Sequence, residues 1–185
     1  MEETAFCFYN VVPCSPGQEK LLADQMIELE ERTGIRIALY TLTLHPEGFP
    51  ASRKAEYLTD SYRRFSSALA GSRVRPGVLI QSILGHWPRV DKDEEQWTRT
   101  INIEGEAARF CPLDPQYRQY IFNTIAALAK EKPCFFLGDD DIRGFSPHAE
   151  CFCPLHTAEY NRRTGSSFTP EEYRQAVRNS KVGDP

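Results

Sequence analysis

Apolar residues fall in short runs separated by amphipathic stretches, and the alternation repeats four times along the chain. Residues 4–12 (TAFCFYNVV) are aromatic and β-branched, the composition of a strand. Pro13 and the Ser15-Pro16-Gly17 cluster close that run. Ser15 offers an N-cap, with Pro16 at the first helical position and Gln18 at the capping-box position. Leu22, Met26 and Leu29 then recur at i, i+4 and i+7 on one helical face, and Gly34 suits the C-cap. Residues 35–44 (IRIALYTLTL) predict a second strand, ended by His45-Pro46-Glu47-Gly48. A second helix over residues 52–69 carries Leu58, Phe65 and Leu69 on one stripe with Tyr62 between them, and Gly71 ends it. The third strand lies within residues 74–84, followed by Gly85-His86-Trp87-Pro88.

Residues 89–114 are polar and irregular. Their length exceeds a plain connection and predicts a functional loop. Asp114-Pro115 opens a third helix with Ile121, Ile125 and Leu128 as its apolar face, and Lys130 and Lys132 suit the dipole at its end. Residues 134–137 (CFFL) are the fourth strand. A long loop leads to Thr169-Pro170-Glu171-Glu172, a strong start for a last helix. The tail, residues 180–185, is polar.

Four strand–helix units in alternation predict an α/β fold, a parallel sheet with helices packed on it. Two architectures fit: a small open doubly wound sheet of flavodoxin type, or the first half of a (β/α)8 barrel. The short connections precede the strands and the long polar loops follow them. That asymmetry favours the barrel, whose functional groups sit at the carboxyl ends of its strands, although an open sheet also binds ligands at that edge. No repeat beyond this alternation and no linker divides the chain, so residues 1–185 are expected to form a single domain.

Composition narrows the function classes. With 185 residues, the chain can bury a sizeable core in one domain. A 41% hydrophobic and 26% charged balance excludes a disordered chain. The net charge of −4 argues against nucleic-acid binding, which wants a basic surface. No apolar run approaches the roughly 20 residues that span a bilayer, and the acidic amino terminus lacks a basic leader. A cytoplasmic location away from membranes is the expectation. In a reducing compartment the six cysteines read as buried thiols or metal ligands rather than disulfides.

The densest chemistry lies in residues 133–156, PCFFLGDDDIRGFSPHAECFCPLH. Cys151-x-Cys153-x-x-His156 offers two thiolates and an imidazole, a set that suits tetrahedral zinc. Cys111, in the loop after the third strand, would lie on the same sheet edge and supply a fourth ligand. A Cys3His site is closed and therefore structural. The plainer alternative is reduced thiols and a surface histidine. Cys7 and Cys134 fall in predicted strands and read as core residues, and His148 is held in reserve as a ligand.

Asp139, Asp140 and Asp141 follow the fourth strand, where barrel enzymes keep a general acid or base. Strand alternation sends neighbours to opposite faces, so one or two of the three point inward. A solvated turn and an Asp-x-Asp cation site are the alternatives. His86 and Trp87, after the third strand, form either a sugar-facing aromatic platform or rim packing.

Taken together, Cys111-Pro112-x-x-Pro115-x-Tyr117-Arg118, the strand ending in Asp139-Asp140-Asp141, and Cys151-x-Cys153-x-x-His156 resemble the clan A (β/α)8 glycoside hydrolases. The likeness is closest to family 42, the β-galactosidase type, and covers residues 75–160. That family has Tyr-Cys-Pro after strand three, Asp-Asn-Glu ending strand four, and Cys-x-Cys-x-x-Cys beyond, its four cysteines holding a structural zinc. The resemblance implies Cys111, Cys151, Cys153 and His156 as zinc ligands, with histidine in place of the last cysteine. It places Asp141, one methylene shorter than glutamate, as the acid/base and Asp140 as its neighbour. Arg109 falls near the family's arginine, and with His86, Trp87 and Asp139 is a candidate substrate contact. A whole barrel takes about 250 residues, so the likeness is to an amino-terminal half. The expectation is a carbohydrate-acting domain that is a fragment of a longer hydrolase or pairs with a second half, through self-association or otherwise. A non-catalytic carbohydrate-binding or scaffold remnant with a structural zinc is the alternative, and a metal-dependent transferase using the aspartates is a weaker one.

Overall fold

The computed structural model describes residues 8–46, 50–83, 97–139 and 151–180. The chain begins β1 (Tyr9–Pro13), α1 (Glu19–Thr33), β2 (Ile37–Thr43), α2 (Ala51–Ala68) and β3 (Arg75–Gln81). It continues β4 (Arg99–Ile101), β5 (Ala107–Phe110), α3 (Pro115–Lys130), β6 (Phe136–Gly138), α4 (Pro154–Thr164) and α5 (Pro170–Asn179). Strands β1, β2, β3 and β6 form one parallel sheet in that spatial order, and β4 pairs antiparallel with β5. Among the described strands the order contains no reversal, and so no switch point of the doubly wound kind. Winding in a single direction is the arrangement of four successive units of a (β/α)8 barrel. Among the described residues no helix is long and apolar enough to cross a membrane.

The apolar run of β2 is explained by burial on both faces, as central parallel strands require. Ala38, Tyr40, Leu42 and Leu44 face the helices. There they join Val12, Val78 and Ile80 from the neighbouring strands, Leu22 of α1, and Leu58, Tyr62, Phe65 and Leu69 of α2 and its end. Tyr40 stacks on Phe65 with ring centroids 4.6 Å apart. On the opposite face Ile37, Leu39 and Leu79 pack with Leu137. Residues two apart share a face, so the register of β2, β3 and β6 sets which side chains meet there.

Two buried carboxylates lock the helices to the sheet. Glu19, at the start of α1, accepts from Ser61 Oγ at 3.0 Å and from Arg64 Nη2 at 2.7 Å, while Ser61 also contacts the Tyr40 hydroxyl at 2.8 Å. Burial pushes the Glu19 carboxyl up, but the Arg64 guanidinium with its own backbone amide and Ser61 outweighs this and holds it below its usual value. At the far end of α1, Glu30 meets Arg36 at 3.4 Å and Arg73 at 2.9 Å.

The helix starts differ from the sequence expectation in one place. Gln18, not Ser15, is the N-cap of α1 and makes no side-chain cap; Ser15 instead supplies its carbonyl to the Gln18 amide at 3.0 Å. Gly34 closes α1 with φ of 74°, as expected. Leu29 is only half-buried, and the buried face is carried by Leu22 and Ala23. The strong caps of α3 and α5 are present: Asp114 caps the first, and a reciprocal Thr169–Glu172 box caps the second.

Three stretches behave otherwise than their sequence implies. The polar region 89–114 contains the β4–β5 hairpin, whose strands of three and four residues are too short for a readable alternation. Gly105, at φ of 89°, makes its turn, with Asn102 accepting from the Gly105 amide at 3.0 Å. The loop after β6 contains α4, which starts at Cys153-Pro154 without a side-chain cap and so gives little sequence signal. The last sheet strand begins at Phe136, and Cys134 before it is exposed, not a core residue. Cys7 and His148 lie outside the described residues.

Gly77 shows how tightly the face opposite the helices is packed. A Cβ there would stand 2.5 Å from Leu39 Cδ2 and 3.0 Å from the Phe135 carbonyl oxygen. Gly77→Val is therefore expected to cost about 1–3 kcal/mol through overpacking, read as a lower urea midpoint; an unchanged midpoint would contradict this packing.

Candidate metal centre

The first ligand is set by a helix start. Asp114 accepts from the amides of Gln116 at 2.8 Å and Tyr117 at 3.0 Å, capping α3, and from the Thr98 amide at 2.8 Å, which ties the helix to the residue leading into β4 of the hairpin. Burial raises the Asp114 carboxyl, but the amides of Thr98, Tyr117 and Gln116 outweigh it and hold it below the ordinary value. Cys111, three residues earlier, is fully buried; its amide donates to the Thr98 carbonyl at 2.8 Å and its sulfur accepts from Leu113 N at 3.4 Å.

The same helix fixes this corner to the carboxyl edge of the sheet. Tyr120 donates to the carbonyl of Leu44, just past β2, at 2.7 Å, and Tyr117 donates to that of Ile83, just past β3. Trp97, Phe110, Tyr117 and Tyr120 form a buried aromatic cluster around the corner. His45 stacks on Phe110 at 5.1 Å, and the Arg99 guanidinium lies 3.8 Å from the centroid of the Phe110 ring.

The other three ligands arrive from beyond β6. The Phe152 amide donates to Ile101 of β4 at 2.9 Å, laying this segment beside the hairpin. Cys153 is the N-cap of α4 with Pro154 at the first position, so His156 stands in the first helical turn. At a spacing of three residues both side chains fall on one face of the helix start. The second helix of this region holds the arrangement from outside: Phe152 packs on Tyr173 at 5.3 Å, and Arg174 and Arg178 each donate to the Ile103 carbonyl at 3.0 Å.

Cys111, Cys151, Cys153 and His156 thus converge, all four donor atoms lying within 4.8 Å of one another. His156 Nδ1 is 3.2 Å from Cys111 Sγ and 3.3 Å from Cys153 Sγ, and those sulfurs are 3.6 Å apart. A tetrahedron whose centre lies about 2.3 Å from each sulfur has edges of about 3.8 Å. The donor set therefore has the size and chemistry to hold a metal ion. Its electrostatics agree. Hydrogen bonds from Cys111 and Cys153 hold the Cys151 thiol far below its usual range, while its contacts with Cys151 and then Cys153, together with burial, push the Cys111 thiol far up. The Cys151 and Cys153 sulfurs push His156 up to about 10. Four donors this close compete for positive charge, which a cation supplies to all of them at once. Cys111 and Cys153 are buried and the other two half-buried, a closed site with every position taken by protein.

The remaining expected site residues divide. Asp139 lies at the end of β6, half-buried, and accepts from Gln81 Nε2 at 2.6 Å. Arg109 is buried on β5 beside the metal cluster, its amide donating to Thr100 Oγ1 at 2.9 Å. Asp140, Asp141, His86 and Trp87 lie outside the described residues. Sequence reading missed Gln81, which strand alternation places on the same face as Asp139, and His45, read only as part of a loop. Comparison with family models, curated proteins and solved structures returned no match.

Two measurements check this centre. The purified chain should carry about one metal ion, and chelation or Cys153→Ser should remove it and lower the thermal midpoint, because binding and folding are coupled; a metal-free, equally stable wild type would sink the assignment. Asp114 has a depressed carboxyl, so its contribution is present above the unfolded value near pH 4 and is lost as pH falls through the lower folded one. The urea midpoint of wild type should accordingly drop more steeply below about pH 4 than that of Asp114→Asn, and parallel slopes would contradict the cap.

Proposed function

We propose that the chain is the amino-terminal half of a (β/α)8 glycoside hydrolase of the family 42 type, with a structural zinc beside its catalytic edge. The observation that carries this reading is the convergence of Cys111 with Cys151, Cys153 and His156 at the carboxyl edge of a parallel sheet wound in one direction. Three thiolates and one imidazole in a closed tetrahedral set favour zinc over harder cations. Bound there, zinc supplies no chemistry to substrate; it fixes the hairpin and the start of α4 against the strand ends. Abundant free thiols fit a cytoplasmic setting.

In this reading Asp141 is the acid/base. Its carboxyl gives a proton to the glycosidic oxygen as the bond to the sugar breaks, and then takes one from the water that releases the sugar. Asp140 stands beside it, and His86, Trp87, Arg109 and Asp139 form the sugar-facing rim. The retaining reaction needs a second carboxylate about 5–5.5 Å away as nucleophile, which in that family belongs to a seventh strand. The chemistry therefore requires strands beyond the four of this sheet, from the same polypeptide or from a second half. A second reading, a non-catalytic carbohydrate-binding or scaffold domain, is favoured by the closed ligand set, which supports structure rather than reaction.

Loss of a general acid slows most the substrates whose leaving group needs protonation. In the enzyme completed by those further strands, Asp141→Asn should cut hydrolysis of alkyl β-galactosides by about 10²–10⁴-fold, with a smaller effect on nitrophenyl β-galactosides. Equal rates in the two completed proteins would remove the hydrolase reading and leave the binding one.

A further inference from the structure

The parallel sheet has two open ends. Among the described residues β1 pairs only with β2 and β6 only with β3, so each presents a row of unpaired backbone groups. Edge strands are commonly protected by charged side chains, lysine above all. Neither of these carries a charge: β1 is YNVVP, and β6 is FLG preceded by Cys134 and Phe135.

Exposed apolar side chains gather at the same two ends. Eight large ones are exposed among the described residues, and five belong to the edge strands or the residue before each: Phe8, Tyr9 and Val11 at β1, Phe135 and Phe136 at β6. Two more lie in the helix layer. There α2 packs against both α1 and α3, which makes α1 and α3 the ends of the row. Leu21 stands two residues, about 200° of helix, from Glu19, whose carboxylate faces α2. Phe122 stands the same step from Tyr120, which lines the groove between α2 and α3. Both are thus turned to the flank away from α2. Single exposed apolar residues need no explanation; seven of eight at the two ends of one layered sheet do.

The two ends fit each other. The four strands run in one direction, so a two-fold rotation about an axis along them sets the free edge of β6 beside β1 of a second copy as a parallel pair. The same rotation makes the second seam. Two copies supply eight strands, the ring closes, and no edge remains. The area is sufficient as well. At about 200 Å² for an aromatic side chain, the five exposed aromatic residues at these ends supply roughly 1,000 Å² from two copies. Paired backbones and the two aliphatic side chains bring the total into the range of a stable interface, about 1,200–2,000 Å².

We propose that a second copy of this chain occupies the open ends, joined through two β6–β1 seams into one eight-stranded barrel. The proposal rests on the half-barrel reading above and names its second half; it does not rest on the role given to Asp141.

The test is light scattering over a dilution series on the whole 185-residue, metal-loaded chain, as wild type, Val11→Lys, Phe135→Glu and an equal mixture of the two variants. Val11 is 56% and Phe135 42% exposed, so neither substitution empties the core. Unchanged metal content and circular dichroism identify folded variants, and Tyr9→Lys replaces Val11→Lys if that chain does not fold. Wild type should have twice the chain mass. Each variant alone places an unpaired charge in both seams, and its dissociation midpoint should rise at least tenfold. In the mixture one seam sets the introduced lysine against the introduced glutamate while the other is wild type, so dimers should return. No recovery in the mixture means that β1 meets β1 or β6 meets β6, and overturns the seam. Monomeric wild type, or assemblies larger than two, overturn it also. A dimer broken and restored in this way upholds the partner whether or not it cleaves glycosides. A monomer that cleaves them overturns the partner and leaves the hydrolase reading standing.

Discussion

Four donor atoms from two distant segments, 45 residues apart between Cys111 and His156, meet within 4.8 Å. That convergence is the constraint on which the carboxyl edge depends. The hairpin of β4 and β5 is short, and the start of α4 lacks a side-chain cap. Neither element has the length or the apolar face to be stable alone. The cluster joins the end of β5 to the start of α4, and the Phe152 and Arg174 contacts extend the same join to α5. A cation held at its centre would replace a competition for protons with four bonds.

The rest of the molecule transmits this order to the strand ends. Phe110 precedes Cys111 and packs with Trp97, Tyr117 and Tyr120, and the two tyrosines hold carbonyls just past β2 and β3. Asp114 binds both the start of the hairpin, through Thr98, and the first turn of α3. The metal corner, the helix start and the ends of two sheet strands are thus one hydrogen-bonded and aromatic unit. Gln81 and Asp139 sit at that same edge, on the face opposite the helices.

Much of the sheet and its helices could be read from the chain because each strand–helix unit obeys local rules. The buried stripe Leu58, Tyr62, Phe65 and Leu69 and the caps at Asp114 and Thr169 need only short-range periodicity and side-chain chemistry. The candidate metal ligands were legible because thiolate and imidazole spacing carries its own signature. What stayed hidden was set by tertiary contact. The β4–β5 strands are ordered by Cys111 and Phe152 pairing with them, not by their own composition. Cys134 reads as a strand residue, yet the strand starts two positions later and leaves it exposed. The Gln81–Asp139 contact depends on register with β6, which no single segment encodes.

Amide hydrogen exchange with and without metal tests the central claim most directly. The Cys111, Asn102 and Phe152 amides, all bonded within the hairpin region, should be protected in the loaded chain and exchange rapidly after chelation. Amides in the β2–β3 ladder should keep their protection in both states. Protection of the hairpin that is indifferent to metal would contradict the account.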